Sequence, residues 1–172
     1  MSRTAFSILA VVRSLLPDRM PKATGCSRME EPISYEGGIA LVALSVREWD
    51  RQVLSRLASE RRWILHFAQT SDEAWRILNE CRAPIFLCDR EMDGEDWRSV
   101  IRRMVSAPHL VCAILISNVA DDYLWNEVIR RGGHDVMASP LREEDVLRAI
   151  RLAWLYWNTR LGNEPLPHGV KN

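Results

Sequence analysis

The chain has 172 residues, enough for one domain with some length to spare. It is 47% hydrophobic, which excludes wholesale disorder. Its 23 Lys and Arg balance 23 Asp and Glu, so the strongly basic character of a chain built for nucleic acid or anionic membrane is absent.

In chain order, Ala5 to Leu16 is apolar behind Arg3, but Arg13 interrupts it, and a bilayer span needs ~20 apolar residues. The run predicts a short amphipathic helix or a disordered extension. Residues 17–38, rich in Pro, Gly, Ser and charge, have linker composition. Ile39–Ser45 is a short apolar strand, and Glu48–Ser59 carries Trp49, Val53, Leu54 and Leu57 on one helix face. Trp63–Ala68 is a second strand. Ser71–Glu80 is a helix opened by Ser71 as N-cap. Pro84–Asp89 is a third strand, and Asp96–Val105 a helix capped by Asp96. Leu110–Ser117 is the strongest strand. Asp121–Arg131 is helical and stops at Gly132-Gly133. Asp135–Ala138 is the fifth strand and Arg142–Trp157 the last helix.

Five strands alternating with five helices imply an α/β fold, a doubly wound parallel sheet with helices on both faces. Near-continuous apolar strands fit burial on both sides. Right-handed crossovers leave few topologies, among them the flavodoxin-like order 2-1-3-4-5. The expected organisation is a flexible extension over 1–38, a folded unit over 39–158 and a tail over 159–172.

Chemistry in such sheets sits at the carboxyl ends of the strands. That edge carries Ser45, Val46 and Arg47 after strand one, Asp89 and Arg90 after strand three, Ser117 and Asn118 after strand four, and Ser139 and Pro140 after strand five. The run FLCDREMDGEDW at Phe86–Trp97, AILIS at Ala113–Ser117, GGHDVMASP at Gly132–Pro140 and REEDVLRAI at Arg142–Ile150 together resemble the receiver domain of bacterial response regulators (the CheY-like domains). The resemblance implies a phospho-acceptor at Asp89, followed by Met92 and Gly94, a phosphate-contacting hydroxyl at Ser117 and a cis proline at Pro140.

The departures from that pattern bear on function. The two acidic residues that hold Mg²⁺ in the family fall on Ser45 and Val46, the lysine on Ser139 and the aromatic switch residue on Val136. Phosphoryl transfer concentrates negative charge that a metal and a cation must offset, and Mg²⁺ requires converging oxygen ligands. Glu48, Asp50, Glu91 and Asp93 are nearby in sequence but poorly placed as substitutes. The expectation is a degraded pocket, a pseudo-receiver without a metal. A related reading pairs Asp89 with Arg47 or Arg90. An Arg47–Asp89 pair would set positive charge where Mg²⁺ would sit and leave Ser117 without a phosphate to bind.

No glycine lies in the turn after strand one, so a dinucleotide fingerprint and a P-loop are both absent and no cofactor is expected. The cysteines, Cys26, Cys81, Cys88 and Cys112, have no zinc spacing, and three sit in apolar stretches that predict buried free thiols. A reducing cytoplasm fits them. Of the seven tryptophans, Trp49, Trp63, Trp75 and Trp97 are assigned to core or helix–sheet contacts. Leu152–Trp157 has no polar face, and Trp125, Trp154, Tyr156 and Trp157 form the predicted partner surface. About fourteen residues follow the last helix, too few for a DNA-binding output domain. The expected function is therefore that of a non-enzymatic, stand-alone receiver-like regulator in phosphorelay signalling. It would contact a histidine kinase or effector, or a second copy through the last helix, with no nucleic acid or membrane as partner. The alternatives are a phosphorylated receiver using Asp89 and a small cofactor-binding α/β domain.

Overall fold

The computed structural model describes residues 38–44 and 46–161. The expectations for the N-terminal extension, Cys26, Ser45 and the residues after 161 lie outside the described residues. The elements run β1 (Ala40–Leu44), α1 (Glu48–Arg61), β2 (Ile64–Ala68), α2 (Ser71–Glu80), β3 (Ile85–Asp89), α3 (Trp97–Val105), β4 (Cys112–Ser117), α4 (Asp122–Arg130), β5 (Asp135–Ala138) and α5 (Glu143–Leu161). All strand pairs are parallel, in the order β2-β1-β3-β4-β5. The predicted sheet is thus the observed one.

Alternation along the central strands builds two cores. Val42, Phe86, Cys88, Ala113 and Leu115 face Ala74 and Leu78 of α2, Val100, Ile101 and Met104 of α3, and Leu124 and Val128 of α4. Leu41, Ala43, Ile85, Leu87, Ile114 and Ile116 face Leu54 and Leu57 of α1 and Val146, Ala149, Ile150 and Ala153 of α5. A fully buried side chain such as Phe86 contributes roughly 1.5–3 kcal/mol over an exposed one. These faces hold the strand ends in fixed register, which is what positions the edge residues.

Helix ends explain the boundaries. The N-cap of α2 is Thr70, not Ser71: the Thr70 hydroxyl accepts from Glu73 N–H at 3.2 Å, while Glu73 reaches back to Gln69 N–H at 2.8 Å. Two adjacent hydroxyl residues competed for this role, and the reciprocal bonds from Glu73 decide it. Asp96 and Asp121 cap α3 and α4. At the end of α4, Gly132 adopts φ 85°, with Gly132 N–H bonded to Ile129 O and Gly133 N–H to Val128 O, the paired bonds of a Schellman turn. Helix α5 continues past Trp157.

Two packing expectations are corrected, those for Trp49 and Cys81. Trp49 is 58% exposed, because the buried stripe of α1 is carried by Asp50, Leu54, Leu57 and Ala58. Trp97 is buried, and Trp63 and Trp75 pack partly on the cores. Cys88 and Cys112 are buried free thiols, but Cys81 is exposed, since it lies just beyond α2. Burial pushes the Cys112 thiol up to about 12, and that of Cys88 up as well, so both stay protonated and unreactive at neutral pH.

Helices α3 and α4 are cross-linked by charge. Arg98 donates to both oxygens of Glu127, at 2.6 and 3.1 Å, and Arg131 donates to the same carboxylate at 3.0 Å. Hydrogen bonds from the two guanidinium groups depress the Glu127 carboxyl from 4.5 to about 2. A depressed carboxyl stabilises the fold fully above its unfolded value and loses that contribution as pH falls through the folded one. Glu127→Gln should therefore lower the urea midpoint above pH 4.5 and make no difference near pH 2, as measured by paired denaturation curves.

Candidate functional site

Parallel pairing sets Asp89 opposite Ile116 and Ser117 opposite Ala138, so the last residues of β3 and β4 meet at the carboxyl edge. Asp89 is only 1% exposed. Its Oδ1 accepts the Glu91 N–H at 2.8 Å. Its Oδ2 lies 3.2 Å from Arg47 Nε. The N–H does not point at that oxygen, which accepts no hydrogen bond among the described residues. The contact is therefore an ion pair and not a directed bond. Burial raises the Asp89 carboxyl, and the Glu91 N–H and the Arg47 charge pull it back only in part.

Arg47 is the N-cap of α1, in extended conformation, and makes no side-chain cap bond. Its side chain instead crosses the edge of the sheet. One terminal nitrogen donates to Asn118 Oδ1 at 2.7 Å and the other lies 3.2 Å from Glu91 Oε2. A single guanidinium thus ties the end of β1 to the loops after β3 and β4. Its planar set of donors suits three oxygens in different directions, as an ammonium group would not. The sequence reading named the Arg47–Asp89 pair; Glu91 and Asn118 complete it.

A second centre lies one turn along α1. Asp50 is 0% exposed. Its Oδ2 accepts the Ser139 hydroxyl and its Oδ1 the Leu141 N–H, each at 2.6 Å. This carboxylate fastens the loop around the cis Ser139–Pro140 bond to α1. Sequence reading took Asp50 for an acidic helix start. In that position an acid usually complements the helix dipole from the surface, and only the apolar residues flanking it in α1 hinted at burial.

The remaining positions are distributed along the same edge. Ser117 is buried, and its hydroxyl is engaged locally with Val119, donating to the carbonyl at 2.9 Å and accepting from the N–H at 3.2 Å. Ser139 N–H bonds Ser117 O at 2.9 Å, joining the ends of β4 and β5. Val46 is half-buried against the α1–α5 core. Ser45 is outside the described residues. Among the described residues, no three His, Cys, Asp or Glu side chains are grouped to hold a metal ion.

The aromatic residues on the other side divide in two. Trp154 and Trp157 are half-buried and stacked at 5.0 Å, and Trp157 Nε1 donates to Leu110 O at 3.0 Å, so part of their surface serves the fold. Trp125 is half-buried, and its indole helps draw down the Asp135 carboxyl, which burial raises. Tyr156 and Leu155 are each 38% exposed, with Tyr156 near the His134 ring at 5.2 Å. No helix among the described residues is long and apolar enough to cross a membrane.

No protein-family model and no curated protein matches the chain. Solved structures do. The signal receiver domain of an HD domain-containing protein from Pseudomonas fluorescens Pf-5 superimposes with a TM-score of 0.67 at 18% identity, covering 76% of this chain and 97% of that one. The chemotaxis protein CheY4 of Vibrio cholerae gives 0.61 at 14% identity, covering 67% and 98%. A response regulator protein from Burkholderia pseudomallei, solved with a phosphorylated aspartic acid, a calcium ion and citrate, gives 0.58 at 15% identity, covering 74% and 76%. The chain therefore has the fold of response regulator receiver domains.

Proposed function

We propose that this chain is a receiver-like signalling module that acts by protein contact, with Arg47 permanently filling the place where a phosphorylatable receiver would hold its divalent cation. The observation that carries this reading is the seat of the guanidinium, between Asp89, Glu91 and Asn118. Magnesium takes oxygen ligands in near-octahedral array. Here Val46 offers none, and the two carboxylates at hand already share one cation. The site does not fit the metal. Without it, transfer of a phosphoryl group to Asp89 lacks several kcal/mol of charge stabilisation, or roughly a thousandfold in rate.

In this reading the partner is a histidine kinase or a downstream effector, and the contact uses the exposed part of α5 around Leu155 and Tyr156. A second copy of the chain on the same helix is the alternative occupant. The module works in the cytoplasm and needs no cofactor.

One observation favours a phosphorylated receiver instead: Asp89 and Ser117 do end adjacent strands. The test separates the two. The full chain is incubated with acetyl phosphate and Mg²⁺, and its intact mass is followed beside calorimetric Mg²⁺ titration. The expected result is no phosphoryl adduct and no heat of metal binding. An adduct that disappears in Asp89→Asn overturns the reading and establishes the phosphorylated receiver.

A further inference from the structure

A groove of about 700 Å³ runs between α3 and α4, on the opposite side of the sheet from α1 and α5. Arg102, Tyr123, Asn126, Glu127, Arg130 and Arg131 line it. Its size is that of a small-molecule site. The α4 residues fall at positions 123, 126, 127 and 130, the spacing of one helix face, so they are presented together.

The charges in this groove are unequal in kind. Among the described residues Glu127 is the one acidic lining residue, and Arg98 and Arg131 already match it. Arg102 and Arg130 are exposed and have no ion pair among the described residues. The Nε of Arg131 is buried and has no acceptor among the described residues. The Arg131 N–H is sealed within the protein, so the donors the groove offers a ligand are the two free guanidinium groups of Arg102 and Arg130. A phosphate oxygen is the acceptor that matches their forked geometry best.

The rest of the lining suits a ring. Tyr123 is 77% exposed, large and apolar on its faces. Asn126 donates its Nδ2 to Asp122 O at 2.7 Å, which fixes the carboxamide and leaves its Oδ1 turned away from that bond as an acceptor. An aromatic platform and a fixed amide are what stack and read a base.

We propose that the α3–α4 groove is a nucleotide-binding site, with phosphates on Arg102 and Arg130, the base on Tyr123, and Asn126 at the base edge. Glu127 acts as the brace that holds Arg131 in line. The site uses side chains and no glycine-rich turn, which is why no nucleotide motif marks it in the sequence. It is independent of the Arg47 centre.

The test is calorimetric titration of the full chain with ATP, inorganic tripolyphosphate and adenosine. ATP should bind, more weakly as salt rises. The double variant Arg102→Ala/Arg130→Ala should weaken ATP at least about a hundredfold, since each charge-assisted contact is worth about tenfold or more. Tyr123→Ala should weaken ATP but leave tripolyphosphate unchanged. All three side chains are exposed, and unchanged thermal unfolding of the variants confirms intact folding. Absence of ATP binding overturns the proposal. Equal affinity for tripolyphosphate and ATP, with Tyr123→Ala silent, overturns it in favour of a simple polyanion surface. Displacement of ATP by poly-glutamate at lower concentration overturns it in favour of an acidic peptide.

Discussion

Asp50→Ala is expected to cost about 3 kcal/mol of stability, or roughly a 10 °C fall in melting temperature for a domain of this size. The carboxylate is wholly buried and accepts two bonds at 2.6 Å, from Ser139 Oγ and Leu141 N–H. Alanine would leave the Leu141 N–H without an acceptor in an apolar setting, the circumstance in which a lost bond costs its full desolvation. Asp50→Asn should be milder, about 1 kcal/mol, because the amide oxygen can still accept from Leu141 while its NH₂ turns toward a hydroxyl able to accept. Equal losses in the two variants would show that Asp50 matters through its volume and not through its bonds. Thermal and urea unfolding of both proteins decide the matter.

The second large effect concerns Arg47. Arg47→Ala removes the only cation paired with Asp89 among the described residues and should cost about 2 kcal/mol near neutral pH, because it strands a buried charge. In an Asp89→Asn background the same change should cost under about 1 kcal/mol, since only the contacts to Glu91 and Asn118 are lost. The difference is the coupling, and a double-mutant cycle reads it directly. The pH dependence has a definite sign. Asp89 titrates above its ordinary 3.8 in the folded protein, so its protonated form is the one favoured by folding. Wild type and Asp89→Asn should therefore be equally affected below pH 3.8. The wild type should fall behind as pH rises through the raised value, and the gap should be wider without Arg47. A cycle with no coupling would mean that the ion pair is not held in solution.

The fold was legible because its signals are local and repeated: apolar strand, polar turn, amphipathic helix, five times over. Phe86–Asp89 could be seen as a strand end, and the Arg47–Asp89 pair followed from knowing which strand ends are neighbours. Asp50 was not legible in its true role, because its partners, Ser139 and Leu141, lie some ninety positions away and nothing local marks them. Asn118 was hidden for the same reason. Ser71 was read as the cap of α2 on its residue type alone; Thr70 caps it because Glu73 N–H bonds the Thr70 hydroxyl while the Glu73 carboxylate accepts from Gln69 N–H. Trp49 misled because aromatic side chains are usually buried, whereas α1 turns Asp50 inward and its tryptophan out.

The seat of Arg47 has a kinetic corollary. An acyl phosphate hydrolyses, and its lifetime clocks the response of any protein that relies on one. A guanidinium is part of the polypeptide and never falls off. If this residue supplies the output conformation, then the duration of the message is governed by how fast the cell makes and degrades the molecule, and by how quickly its complexes come apart.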